Sequence, residues 1–154
     1  MDHLDSLCQE LQALWDQHFP LSAAMAMRVA SFEHHQLTTH TALTPNTNIH
    51  KTAFAGSLYA IESLTAWGLL YLELKVAGFD ASIIHAHGNI KFYRPIRDDI
   101  FAQADFSGHE SLFESLRESG KGRLSLQTRV WGATEALTEP AASEFDGLYV
   151  VRLN

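Results

Sequence analysis

Cysteine is almost missing from this chain: among 154 residues only Cys8 carries a thiol. One thiol excludes an intrachain disulfide framework and suits a reducing compartment, and Cys8 sits where an amphipathic helix would place it without chemistry to perform. Basic blocks are also lacking. No run of four or more Lys/Arg occurs, and the formal charge is −7, so a general nucleic-acid binder is not expected, although phosphate could still be held locally. The opening MDHLDSLCQELQALWDQHF has neither the basic start nor the apolar centre of a signal peptide, which makes the cytoplasm the expected location. The longest apolar run, residues 63–72, is bounded by Glu62 and Glu73. It reaches about half of the ~20 residues that a membrane-spanning helix requires, so no membrane segment is expected. Internal repeats, low-complexity tracts and Pro/Gly-rich linkers are absent too, and residues 1–154 read as a single domain.

Apolar residues, by contrast, are plentiful. At 46% hydrophobic against 19% charged, the chain can bury one sizeable core. Residues 2–18 space Leu4, Leu7, Leu11, Leu14 and Trp15 at three- and four-residue steps, with Asp2 and Asp5 in the first turn where the helix dipole favours negative charge. This predicts an amphipathic helix that Pro20 ends. Residues 24–33 and 36–43 are short segments divided by His34-His35 and predict a β-hairpin.

The stretch NTNIHKTAFAGSLYAIESLTAWGLLYLELKVAGF, residues 46–79, is apolar on nearly every face once past a polar start. It predicts a helix from about Thr52 to Val76, stopped by Gly78. A helix apolar all round must be enclosed. Residues 82–96, 99–107, 122–132 and 143–153 supply further strands, with a short helix at 110–119. In the third of these strands Leu124, Leu126, Thr128 and Val130 alternate with polar residues, the period of a half-buried strand. The pattern predicts an α+β domain: an antiparallel sheet of about six strands wrapped around one long central helix.

This order of elements resembles the hot-dog fold. More specifically, Asn46, Asn48, Thr52, Ala53, Phe54, Gly56, Ser57 and Leu58 at the helix start, followed by Trp67-Gly68 and by the Arg94-Pro95 strand end, resemble the signature of a bacterial thioesterase-like family. In some of its proteins this module follows an acetyltransferase domain, and here the expectation is that it stands alone. The resemblance implies hydrolysis of acyl thioesters of coenzyme A or acyl carrier protein in fatty-acid metabolism, with no cofactor. It also implies a homodimer or higher homo-oligomer with acyl thioesters in the clefts between protomers.

A helix start presents N–H groups without intrahelical partners and partial positive charge, which suits the oxyanion formed when water attacks a thioester carbonyl. Preorganised donors of this kind commonly contribute ~3 to 4 kcal/mol. Phe54, Ala55, Gly56 and Ser57 are therefore the candidate substrate-binding residues. Gly56 either lets substrate approach the backbone or only permits close packing of a strand on the helix. Many hot-dog thioesterases carry a carboxylate two turns into this helix, but the resemblance aligns Ser63 there, with Glu62 next to it. One residue is about 100° of rotation, so the two cannot face one cleft equally. Ser63 could hold a water or bond back to the helix backbone. Asn48 and His50 could polarise the carbonyl or steady the water, or they could merely shape the loop, with Thr52 capping the helix. The catalytic candidates are thus Asn48, His50, Ser63 and Glu62.

Metal is not expected. His85 and His87 would share a strand face and His34-His35 are adjacent, but no third ligand stands at a recognisable spacing. Lys91, Arg94 and Arg97 could meet carrier phosphates or be ordinary surface charge. Two other readings stay open: a non-hydrolytic acyl-thioester-binding module, suggested by the missing carboxylate, and a hot-dog dehydratase or hydratase, whose usual motif is absent.

Overall fold

The computed structural model describes residues 2–154. Helix α1 (His3–His18) presents Leu7, Leu11 and Trp15 to the core, and Pro20 opens a separate short helix, α2 (Pro20–Ala24). The hairpin follows as β1 (Met27–Glu33) and β2 (Gln36–Thr41). His34 and His35 make its two-residue turn, with φ of 51° and 61°. Both central residues in left-handed backbone is the arrangement whose twist matches that of the flanking strands.

Helix α3 (Ala55–Ala77) is the central rod, and Gly78 at φ 82° closes it with its N–H on Leu74 and Lys75 carbonyls. Strand β3 (Ala81–Phe92), strand β4 (Ile100–Asp105), helix α4 (Ser111–Ser119), strand β5 (Lys121–Gly132) and strand β6 (Ser143–Leu153) complete the chain. The six strands form one antiparallel sheet in the order β1-β2-β4-β5-β6-β3. Its inner face delivers Leu37, Ala102, Leu126, Val130 and Tyr149 against the Ile61, Leu69 and Leu72 side of α3. α1 covers another side of the rod. A side chain at Gly68 would run into Trp15, Leu11 and Leu37, so this glycine sets how closely α1 and β2 approach.

Several predicted boundaries move for identifiable reasons. The first hairpin segment, expected from residue 24, becomes a strand only at Met27 because α2 runs to Ala24. α3 begins at Ala55, three residues later than its pattern suggests, because Thr52 belongs to a turn. Lys51 stands at φ 59°, Thr47 and Ala53 form a bridge, and the Ala53 and Phe54 N–H groups bond to the Ile96 and Asn46 carbonyls at 2.8 and 2.7 Å. Thr52 therefore does not cap the helix; Phe54 occupies that position. β3 stops at Phe92 because Tyr93 and Arg94 both turn their N–H groups to the Ala142 carbonyl ahead of Pro95.

A bulge between His85 and His87 shifts the register of β3 on β6. Ala81, Ile83 and His85 lean inward before it, Gly88 and Ile90 after it, so His85 and His87 do not share a face as their spacing predicts. Among the described residues the outer edge of β3 has no neighbouring strand, and Ile84 and Phe92 on this strand are exposed. No helix among the described residues is long and apolar enough to cross a membrane.

Candidate active site

The first turn of α3 is open. Leu58 is the first residue whose N–H finds a helical acceptor, the Phe54 carbonyl at 3.0 Å, and no side chain among the described residues caps the N–H groups of Ala55, Gly56 and Ser57 ahead of it. Ala55 and Gly56 are exposed and Ser57 is half-buried. These donors stand at the positive end of a 23-residue helix, where partial positive charge accumulates. A side chain at Gly56 would collide with the ring of Phe54, not with a strand. The close-packing explanation for this glycine thus reduces to a neighbouring aromatic that is itself 52% exposed. Phe54 lies over the first turn like a flap with one face in solvent.

Residues 56, 60, 63 and 67 fall within about 60° of one another at 100° per residue, making a single stripe down the helix. In this chain the stripe reads Gly56, Ala60, Ser63, Trp67. Its lower part floors a cavity of about 400 Å³, walled by Phe19, Leu21 and Met25 from the α1–α2 segment and reached by His85 from β3. The cavity lining is overwhelmingly apolar. A second opening, about 420 Å³, lies on another flank of the first turn between Asn48, Ala55, Leu58 and the Phe92–Arg94 strand end. The second opening thus borders the uncapped donors directly at Ala55, and the first begins one turn further along α3, at Ala60.

Ser63 lies on the stripe and lines the first cavity, its hydroxyl donating to the Ala60 carbonyl at 3.1 Å. The Ser63 carbonyl in turn accepts from Tyr149 at 2.8 Å, which fixes this turn of α3 on β6. Glu62 points elsewhere. It is wholly buried under the sheet, with Ser143 Oγ donating to Oε2 at 2.9 Å and Oε1 lacking a partner among the described residues. Desolvation, opposed only by the Ser143 bond and reinforced by the Glu144 charge, pushes its pKa up to about 8. At neutral pH this carboxyl is protonated.

Asn48 works within the loop. Its Oδ1 accepts from the His50 and Thr52 N–H groups at 2.9 and 3.2 Å, and its amide reaches Thr52 Oγ1 at 2.9 Å. Asn46 is buried and donates to the Met25 and Ala42 carbonyls at 2.8 and 2.7 Å. His50 is exposed beyond this loop. Of the basic residues, Arg94 is paired with Glu135, Lys91 stands opposite Glu144 across the β3–β6 ladder, and Arg97 is exposed. No group of three metal-ligating side chains occurs among the described residues.

The structure thus brings Phe54, Ala55, Gly56, Ser57 and Ser63 onto one end and one stripe of α3, leaves Asn48 and His50 in the preceding loop, and turns Glu62 into the core. The walls from the α1–α2 segment and His85 are site residues that sequence reasoning did not single out for this role. Their local signal is weak, because residues 18–23 read only as a helix end, Met25 reads as part of the first hairpin segment and His85 reads as half of a histidine pair.

The family profile described as "Putative thioesterase (yiiD_Cterm)" matches residues 8–153. Among solved structures, a protein of unknown function from Chlorobaculum tepidum superposes with a TM-score of 0.92 at 25% identity, covering 98% of this chain and 97% of that one. A "putative thioesterase" from Shewanella oneidensis superposes with a TM-score of 0.83 at 27% identity, over 97% of this chain and 99% of its own. A Pseudomonas aeruginosa protein at 20% identity, TM-score 0.77 and 95% coverage of both chains shares the fold.

Proposed function

The chain belongs to the thioesterase family whose profile it matches, and from that premise we propose that it hydrolyses acyl thioesters, of coenzyme A or of an acyl carrier protein, in the cytoplasm. The observation that carries this reading is the uncapped, exposed start of α3, with an apolar cavity opening one turn further along the same stripe. The thioester carbonyl sits at the N–H groups of Ala55, Gly56 and Ser57, with the Phe54 flap swung aside. Water adds to the carbonyl carbon, and the negative charge on oxygen is met by these donors and the helix dipole. Collapse of the tetrahedral intermediate breaks the carbon–sulfur bond, and the water's proton goes to the thiolate, leaving acid and thiol. Ser63, about 10 Å further along the same stripe, lines the path of the acyl chain and not the attacked carbon; Asn48 holds the loop that keeps the first turn free, and His50 faces solvent beside it. Glu62 supports α3 from behind and does not touch the reacting atoms.

Thiol release from a panel of acyl-CoA and acyl-carrier-protein thioesters tests the proposal. Multiple turnovers support it; no release above background at any chain length rejects it.

A second reading rests on one specific observation: the carboxyl nearest the stripe, Glu62, is buried and protonated, leaving no ionised acid there. On that reading the chain binds acyl thioesters without cleaving them. Saturable binding without turnover would support it.

The unpaired edge of β3 is long, with exposed Ile84 and Phe92, and an edge of this kind invites a further strand. A second copy joining edge to edge covers it and builds a shared cleft. Sedimentation at micromolar concentration is expected to give a dimer or higher oligomer, and the protomer mass alone would remove this part of the proposal.

A further inference from the structure

The same stripe that carries the reacting carbonyl also measures what is attached to it. We infer that the acyl group this chain accepts is an unsubstituted medium-length one, about eight to twelve carbons, lying along Gly56, Ala60 and Ser63 and ending against Trp67. The inference rests on the hydrolytic reading for where the carbonyl sits, and on the cavity alone for the rest.

Length follows from helix geometry. From Gly56 to Ser63 the stripe runs about 10 Å, and to Trp67 about 16 Å, at 1.5 Å per residue. An extended chain advances roughly 1.2 Å per bond, judging from the ~3.3–3.6 Å covered by three backbone bonds. Those two distances correspond to roughly eight and thirteen bonds. Volume does not set a tighter limit. A dry cavity of about 150 Å³ holds benzene, so about 400 Å³ accommodates roughly sixteen carbons at that density. The stop at Trp67 is therefore what bounds the chain.

Trp67 is a firm stop because its ring is held on two sides. Phe19 meets it at 5.1 Å between centroids, tilted by 58°, and Tyr71 stacks on it at 5.7 Å and 13°. Small residues at 60 and 63 floor the cavity with bulky Trp67 beyond them, and Gly56 precedes them on the same stripe at its exposed end. The lining also selects chemistry. A hydroxyl or carboxyl on the far part of the acyl group would lose water with few partners in so apolar a cavity. Chains of that kind are expected to be disfavoured by tenfold or more.

The test is a series of straight acyl-CoA thioesters from two to sixteen carbons, followed by kcat/KM, with S-alkyl CoA thioethers of the same lengths titrated by calorimetry. The expected result is a maximum at eight to twelve carbons in both. Trp67→Ala should move the maximum longer by about four carbons, one helical turn of 5.4 Å. Ala60→Phe should lower the dodecanoyl-to-butyryl ratio at least tenfold. A flat profile, or one that neither variant moves, overturns the inference. Thioether binding with the expected maximum but no turnover of any thioester keeps the trough and sinks hydrolysis; turnover with a flat profile does the reverse.

Discussion

The two halves of α3 handle the same problem in opposite ways. Glu62 and Glu73 are eleven residues apart and thus lie within about 20° on one helix face, both nearly without solvent contact. Glu73, in the second half, meets His35 Nδ1 at 2.9 Å. Burial pushes its carboxyl up, the histidine opposes that, and the pair raises the His35 pKa. Glu62, in the first half, has only the Ser143 hydroxyl. The termini differ likewise: Gly78 closes the far end with two backbone bonds, whereas the first turn has no cap. The far half is satisfied locally and serves stability. The near half leaves the first-turn donors and one Glu62 carboxyl oxygen unsatisfied, and so gives up stability that the far half keeps.

The sharpest way to break this contrast is Glu62→Gln. The folded-state pKa of Glu62 lies above its unfolded value of 4.5 and reaches about 8. The folded chain therefore holds a proton that the unfolded chain releases, and stability should fall as pH rises from about 4.5 to about 8, then level off. The loss is on the order of 4 to 5 kcal/mol at 1.36 kcal/mol per unit. Urea melts across this window should be markedly flatter for Glu62→Gln and should place it above the parent at pH 8.5; parallel curves would show that Glu62 ionises without cost.

Next in size is Phe54→Asp. Phe54 has extended backbone, φ −68° and ψ 132°, the geometry of a helix cap. A carboxylate there should accept from the free N–H groups, stabilising α3 by about 1 kcal/mol. It should also lower kcat/KM by about 100- to 1000-fold by occupying the oxyanion's donors. A variant both more stable and fully active would place the carbonyl elsewhere. At the other end, Gly78→Ala should lose about 1 to 2 kcal/mol because its φ of 82° is left-handed. Its kcat should hold, and a fall in kcat beyond the thermal shift would erase the division of labour.

The smallest effect belongs to His35→Gln. The raised pKa of His35 makes its contribution complete below about pH 6.5 and lost as pH climbs through the folded value. Because His35 is 58% exposed, the difference between pH 5.5 and pH 9 should stay under about 1 kcal/mol. Thermal denaturation at both pH values measures it.

Most of the architecture was legible because its signals are local. The period of two in β5, the turn histidines and the all-round apolar α3 announce themselves within a dozen residues. The start of α3 was misplaced because Asn48 and Thr52 are good capping residues and are instead bonded to each other. That Ser63 and Glu62 diverge followed from rotation, but which of them meets the sheet depends on β5 and β6, far along the chain. The cavity was invisible for the same reason. Its walls come from residues 18–25, its floor from residues 60–67 and one side from His85, and only packing joins them.

The extra residue at Ala86 gives β3 a switch of phase partway along its length. Before it the strand aims His85 toward the apolar cavity; after it the opposite parity faces the core. Removing Ala86 would restore one-to-one pairing with β6 and leave the inward sets as they are, His85 ahead of the junction and Gly88 and Ile90 beyond it. This position can therefore lose a residue without altering what the strand shows the interior, whereas a deletion on either side of it would turn one set outward.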